Sequence, residues 1–268
     1  MTTSFLNFIH RSPVLSGFFD AAASDSLNQF PVKTVYNPRR LFHLYTETVE
    51  IFNERLNSDM GENSSQPLRL GVTGGAGSGK SIVCERLRSH GVSVILADEL
   101  ARRAVLPGMP AYEKILENFG TGILDEDKRI NRARLRQVIL RDQEKKQTLE
   151  SFVHPEVFRL MAEDYMAAAE AGAEVVAVEV PLLFEAGMEG YFDYILTISV
   201  DREERIRRLM ARDRISREDA EALMRIQWPE EEKQKRSDYV IDNSGRIEDT
   251  IKSVDQFHQK FMARVKKT

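Results

Sequence analysis

Cysteine is nearly absent: Cys84 is the only one in 268 residues. No intrachain disulfide can form, and no Cys-x-x-Cys pair exists to hold zinc. A reducing compartment suits such a chain, and Cys84 is expected to be a small buried apolar residue in a helix. Long hydrophobic runs are missing too, since nothing approaches the roughly 18 apolar residues of a membrane span. The first residues lack the basic stretch and apolar run of a secretion signal. Arg11, Lys33, Arg39 and Arg40 could suggest an organellar transit peptide, but Asp20 and Asp25 argue against one, because such peptides are poor in acids. An excess of positive charge is also lacking: 38 Lys and Arg against 42 Asp and Glu give a net charge of −4. That excludes a broad basic surface for nucleic acid and leaves any anion binding to a local device. A soluble cytoplasmic protein, with neither nucleic acid nor membrane as partner, is the expectation.

The sequence divides unevenly. Residues 1–67 end in SDMGENSSQP, a polar stretch closed by Pro67 that reads as a linker. Before it, Leu41, Tyr45, Val49, Phe52 and Leu56 recur at helical steps, predicting an amphipathic helix in an N-terminal helical extension. From Leu68 onward the rhythm changes. LRLGVT, VSVILA, EVVAVEV (174–180), YILTISV (194–200) and DYVID (238–242) read as strands, with helical patterns between them. The helix in SIVCERLRSH is expected to stop at Gly91. Strands separated by helices predict βαβ units and an α/β fold with a mainly parallel five-stranded sheet. No internal repeat or low-complexity tract is present.

Between the first strand and the first helix of this block lies Gly74-x-x-x-x-Gly79-Lys80-Ser81, with Gly75, Ala76, Gly77 and Ser78 inside it. The pattern is that of a phosphate-binding loop, and it sits where the mechanism requires. Glycines let the backbone wrap with its N–H groups inward, and the helix N-terminus adds partial positive charge, so a polyphosphate can be held without many basic side chains. Lys80 would reach the β- and γ-phosphates of a nucleoside triphosphate, and the Ser81 hydroxyl would ligate Mg²⁺. No GxGxxG register fits the segment, which disfavours a dinucleotide site, and no NKxD motif marks a GTPase.

The group that receives the phosphoryl is a separate question, because many chemistries share this loop. Asp98 follows the second strand, where it could accept a proton from an attacking hydroxyl or simply cap the next helix. Arg205, Arg208 and Arg212 share one helical face, which suits a solvated surface or charge neutralisation at a transferring phosphoryl group. The segment after them, RISREDAEALMRIQWPEEEKQKR, is strongly charged with few apolar anchors, as a lid that opens and closes would be.

In order along the chain, VTGGAGSGKS, ADELARRAVLPG, the NFG and RARLR blocks, FVHP, VPLLFEAG, RLMARD and YVIDNSG make residues 68–265 resemble the dephospho-coenzyme A kinase family. The resemblance implies a P-loop NTPase core at 68–268, with a helical substrate-binding part at about 99–172 and a lid at about 205–236. It also implies MgATP-dependent phosphorylation of the ribose 3′-hydroxyl of dephospho-coenzyme A. By position it implies that Asp98 is the general base, that Arg102 and His154 contact the acceptor, that Arg208 and Arg212 are lid arginines, and that Asn243 lies near the ATP adenine. For His154 the alternative is a structural junction, with Pro155 opening the following helix.

The sequence departs from the resemblance at three places. Glu179 stands where many members carry Asp at a metal-site strand, Trp228 follows Gln227 where smaller residues are usual, and residues 1–67 have no counterpart in compact members. Met60 raises the hypothesis that translation can start there or that the extension is dispensable. Two other readings stay open: a kinase for another nucleoside or nucleotide, and a non-catalytic nucleotide-binding protein that docks through its aromatic N-terminal helix.

Overall fold

The structure is a computed structural model that describes residues 66–140 and 142–266. The helix expected between Leu41 and Leu56, Met60 and the rest of the extension up to residue 65 lie outside the described residues. Two compact units are distinguished. Among the described residues, 97–163 belong to one, and 66–96 with 164–266 form the other.

The second unit is built on a five-stranded sheet of β1 (Leu68–Thr73), β2 (Ser93–Leu96), β3 (Val175–Glu179), β4 (Tyr194–Ser199) and β5 (Tyr239–Asp242), in the order β2-β3-β1-β4-β5. Every pairing is parallel. The expected strands are present with trimmed ends; β2 stops at Leu96 because Ala97 already begins a helix. The near-continuous apolar runs are those of strands covered on both faces. Leu70, Val72, Ala177, Leu196 and Ile198 are buried, together with Val83, Cys84 and Leu87 of α1 (Lys80–Ser89). Val254, Phe257 and Phe261 belong to the same cluster and lie on a helix spanning Ile247–Val265. Burial pushes the Cys84 thiol well above its ordinary range, with the Glu179 carboxylate adding to the effect, so this cysteine is inert packing.

This strand order positions the site. The chain leaves β1 for β2 in one direction and reaches β4 and β5 in the other, so the C-terminal end of β1 is the switch point where parallel α/β sheets bind ligands. The glycine-rich loop occupies that end.

The other unit is helical: α2 (Ala97–Arg103), α3 (Pro110–Phe119), α4 (Arg132–Leu140) and the beginning of α5 (Gln143–Glu170). Its interior contains Leu100, Tyr112, Ile115, Leu135 and Val153. Pro155 lies inside α5 rather than opening a new helix, which corrects the junction reading of His154-Pro155. Leu149, Val153, Val157 and Leu160 are all buried at helical steps on both sides of the proline. That continuous stripe outweighs the hydrogen bond lost at the proline.

The remaining helices of the sheet unit are α6 (Arg202–Asp213), α7 (Arg217–Ile226), α8 (Glu230–Arg236) and α9 (Ile247–Val265). Asp201 caps α6 by accepting from the N–H groups of Glu203 and Glu204, and Ser216 caps α7 by accepting from Asp219 N–H. The charged segment expected to have few apolar anchors is fastened more firmly than its composition suggests. Ala220, Ala222 and Leu223 are buried, and Ala220 packs with Ile206 and Leu209 of α6.

Candidate active site

The chain leaves β1 at Thr73 and enters α1 at Lys80, and Gly79 at the N-cap has φ 86° and ψ 27°. An L side chain there would be strained, and its Cβ would also overlap the Asn243 amide, so glycine serves two needs at one position. Lys80 is buried. Its ammonium donates to the carbonyl oxygens of Gly74 at 3.1 Å and Gly75 at 3.4 Å, and lies 4.0 Å from Glu179 Oε1. The Ser78 hydroxyl oxygen is buried with no hydrogen-bond partner among the described residues, an open polar valence inside the loop. Ser81, in the first turn of α1, is exposed.

Asn243 follows β5 and reaches the loop from beneath. Its Nδ2 donates to the Ser78 carbonyl at 2.7 Å and its Oδ1 accepts from the Thr250 hydroxyl at 2.6 Å. Both ends of the side chain are engaged within the protein, so Asn243 buttresses the loop's backbone.

Among the expected lid arginines, Arg208 donates through Nε to Glu204 Oε1 at 2.7 Å and through a terminal nitrogen to the Asn243 carbonyl at 2.8 Å. Its other terminal nitrogen comes within 3.7 Å of where a Cβ on Gly79 would sit, which puts the guanidinium beside the loop. Arg212 is more exposed and forms a two-pronged bond with Asp213 at 2.7 and 2.8 Å. The arginine that touches the loop directly is Arg205, 4% exposed. It donates to the Ala76 carbonyl at 2.8 Å, to Glu230 at 3.1 Å and to Gln227 Oε1.

Arg205 is one member of a buried network of charges. Lys233 is 0% exposed and its ammonium lies 2.7 Å from Glu185 Oε1, which also accepts from Trp228 N–H at 2.8 Å. Burial lowers the Lys233 pKa from its usual 10.5, with Glu185 opposing the shift, and burial raises that of Glu230, with Arg205 opposing. Lys80, Arg205 and Lys233 are thus balanced by Glu179, Glu185 and Glu230, the arrangement that buried charges require. Trp228 stacks on Phe184 with centroids 6.2 Å apart and carries Arg236 over its ring at 4.8 Å.

Arg205 was legible as a member of the 205/208/212 face but did not stand out from it. Glu185 and Lys233 carried no signal of their own: one sits in VPLLFEAG, the other in EEEKQKR, within the segment that reads as a charged lid.

In the helical unit, Asp98 is the second residue of α2 and half-buried, and Arg102 is exposed one turn later on the same face. The pKa of the Arg132 guanidinium is lowered by burial and then by Arg102, so two cations of this unit lie near each other. His154 is 3% exposed, and burial with the Lys146 charge brings its pKa down to about 3, which keeps the imidazole neutral. Lys146 is itself paired with Glu150 at 3.6 Å.

A parallel sheet with a glycine-rich loop at its switch point, entering a helix through lysine and serine, defines a nucleotide-binding protein of the P-loop kind. Comparison with known proteins narrows the class. A family model described as dephospho-CoA kinase matches residues 68–249. Dephospho-CoA kinase from Carboxydothermus hydrogenoformans is 42% identical over 72% of this chain and 93% of its own length. The enzyme from Syntrophotalea carbinolica is 43% identical over 68% of this chain and 87% of its own. Among solved structures, TT1252 from Thermus thermophilus has a TM-score of 0.61 at 38% identity and covers 73% of this chain and 98% of that one. Dephospho-CoA kinase from Campylobacter jejuni has a TM-score of 0.57 at 29% identity, covering 72% and 96%. The chain belongs to the dephospho-CoA kinase family, and is a phosphotransferase of the coenzyme A biosynthetic class. Among the described residues no helix is long and apolar enough to cross a membrane.

Proposed function

We propose that the chain transfers the γ-phosphoryl group of ATP to the ribose 3′-hydroxyl of dephospho-coenzyme A, releasing ADP and coenzyme A. The observation that carries the reading is the loop from Gly74 to Ser81, with its buried lysine, in a chain of this family. Backbone N–H groups of Gly75, Gly77 and Gly79, with those at the start of α1, form the anion cradle, while those of Ala76 and Ser78 hold the loop's shape by donating to Gln227 and to the Gly75 carbonyl. On binding, the Lys80 ammonium exchanges its carbonyl partners for β- and γ-phosphate oxygens.

In the reaction Asp98 accepts the proton of the acceptor hydroxyl as the new O3′–P bond forms and the bond from the γ-phosphorus to the bridging oxygen breaks, the electron pair leaving with ADP. Arg208 and Arg212 neutralise the charge spread over the transferring group, which requires them to release Glu204 and Asp213. Arg102, Arg132 and the neutral His154 of the helical unit hold the acceptor; the two nearby guanidiniums suit its pyrophosphate. Asn243 acts on the nucleotide through the loop it buttresses.

Mg²⁺ prefers hard oxygen donors and keeps several waters. The exposed Ser81 hydroxyl in the first turn of α1 and the Glu179 carboxylate at the end of β3 are an all-oxygen set that fits it. When bound, the ion would offset the negative charge of the phosphates. The cytoplasm suits an enzyme whose single cysteine is buried and unpaired.

Lys80→Ala tests the loop's role. Calorimetric titration should show ATP affinity falling at least tenfold while the thermal midpoint stays within a few degrees. Unchanged ATP affinity would remove the loop from the mechanism.

A further inference from the structure

We propose that Gln227 and Arg205 are positioning residues of the phosphate-binding loop, holding Ala76 at its backbone N–H and at its carbonyl and tying the loop to the segment between α7 and α8. The inference rests on the reading of this loop as the ATP site. Gln227 Oε1 accepts the Ala76 N–H at 3.0 Å, while Arg205 Nε donates to the Ala76 carbonyl at 2.8 Å. Arg205 closes the ring with a second nitrogen on the same Gln227 oxygen and extends its third to Glu230 at 3.1 Å. Gln227 and Arg205 are both buried.

Peptides in an irregular loop have no ladder to fix their planes, and here one side chain holds each of the two that meet at the Cα of Ala76. The chemistry of each fits the task. A neutral amide oxygen can accept two hydrogen bonds beside a polyphosphate without adding negative charge, and only the planar fork of arginine serves three acceptors in fixed directions. Gly75 has no side chain because its Cβ would overlap this guanidinium.

The clamp does not end at the loop. Gln227 terminates α7 and Trp228 next to it is held through its N–H by Glu185, the partner of buried Lys233. Displacing this segment therefore withdraws the oxygen from Ala76.

The test uses the full-length protein with Gln227→Ala, Gln227→Glu and Arg205→Lys, read by steady-state kinetics, calorimetric ATP titration and amide hydrogen exchange at Ala76. Gln227→Ala should raise the KM for ATP about tenfold, leave kcat and the KM for dephospho-coenzyme A within about twofold, and speed exchange of the Ala76 amide about tenfold. Gln227→Glu keeps an acceptor oxygen and should keep the amide protected, while its negative charge near the phosphates still raises the KM for ATP. Arg205→Lys should behave like Gln227→Ala in the KM for ATP. Unchanged Ala76 exchange in Gln227→Ala, or a rise in both KM values together, would overturn the clamp. Wild-type protein that fails to bind ATP in the same titration would instead overturn the loop's assignment, which separates the two failures.

Discussion

Removing Glu185 should cost more stability than any other single carboxylate truncation in the sheet unit. Its Oε1 lies 2.7 Å from the ammonium of Lys233, a side chain with no exposed surface, and accepts the Trp228 N–H at 2.8 Å. Glu185→Ala leaves a cation in the interior without its partner, a change that costs about 3–5 kcal/mol. For a unit of this size each kcal/mol lowers the midpoint by about 2–4 °C, so a fall of roughly 6–20 °C is expected. The sign with pH is fixed by the lysine. Burial lowers the Lys233 pKa below 10.5, and losing Glu185, which opposes that shift, lowers it further. The unfolded variant therefore binds more protons than the folded one between the lowered value and 10.5, and its stability recovers as pH rises through that window. Urea unfolding of the wild type, Glu185→Ala, Lys233→Met and the double variant at neutral and alkaline pH measures the coupling directly. A loss under about 1 kcal/mol, or no alkaline recovery, would refute the buried-pair argument.

Two further outcomes follow from the geometry. His154, held neutral with its pKa at about 3 against an ordinary 6.5, makes stability fall as pH drops from 6.5 toward 3, because the unfolded chain takes up a proton that the folded one refuses. His154→Gln should flatten this slope by up to ~1.4 kcal/mol per pH unit in urea titrations, and an unchanged slope would place the acid sensitivity elsewhere. Gly75→Ala puts a methyl group where the Arg205 guanidinium sits, and should cost about 1–3 kcal/mol and raise the KM for ATP. A neutral result in denaturation and kinetics would mean that the arginine moves aside freely.

Strand positions were legible because each apolar run is short, β-branched and bounded by turn residues, and the loop was legible because Gly74, Gly79, Lys80 and Ser81 occur at a fixed spacing. Two kinds of feature were hidden. Pro155 reads locally as the start of a helix, and only the buried stripe from Leu149 to Leu160 shows that α5 runs through it. Arg205 read as one of three arginines on a face, Lys233 as part of a charged lid and Glu185 as part of a motif without a role of its own, since periodicity reports which face a residue takes and not whether a distant carboxylate or ammonium meets it there. The partner of Lys233 comes from the segment after β3, and that of Ala76 from the end of α7, separations over which no sequence pattern carries information. Asn243 shows the same limit: the motif marks the position, while its hydrogen bonds to Ser78 and Thr250 decide what it does there.

The most direct measurement is coupled ADP release by the wild type and Asp98→Asn, with dephospho-coenzyme A set against adenosine, AMP, CMP and pantetheine as acceptors. Turnover should depend on dephospho-coenzyme A, with one new phosphate on the ribose 3′-oxygen. In Asp98→Asn it should fall by roughly two orders of magnitude or more, with ATP affinity and thermal midpoint retained. Preference for another acceptor would contradict the proposed substrate, and full turnover in Asp98→Asn would contradict the carboxylate's part in the chemistry.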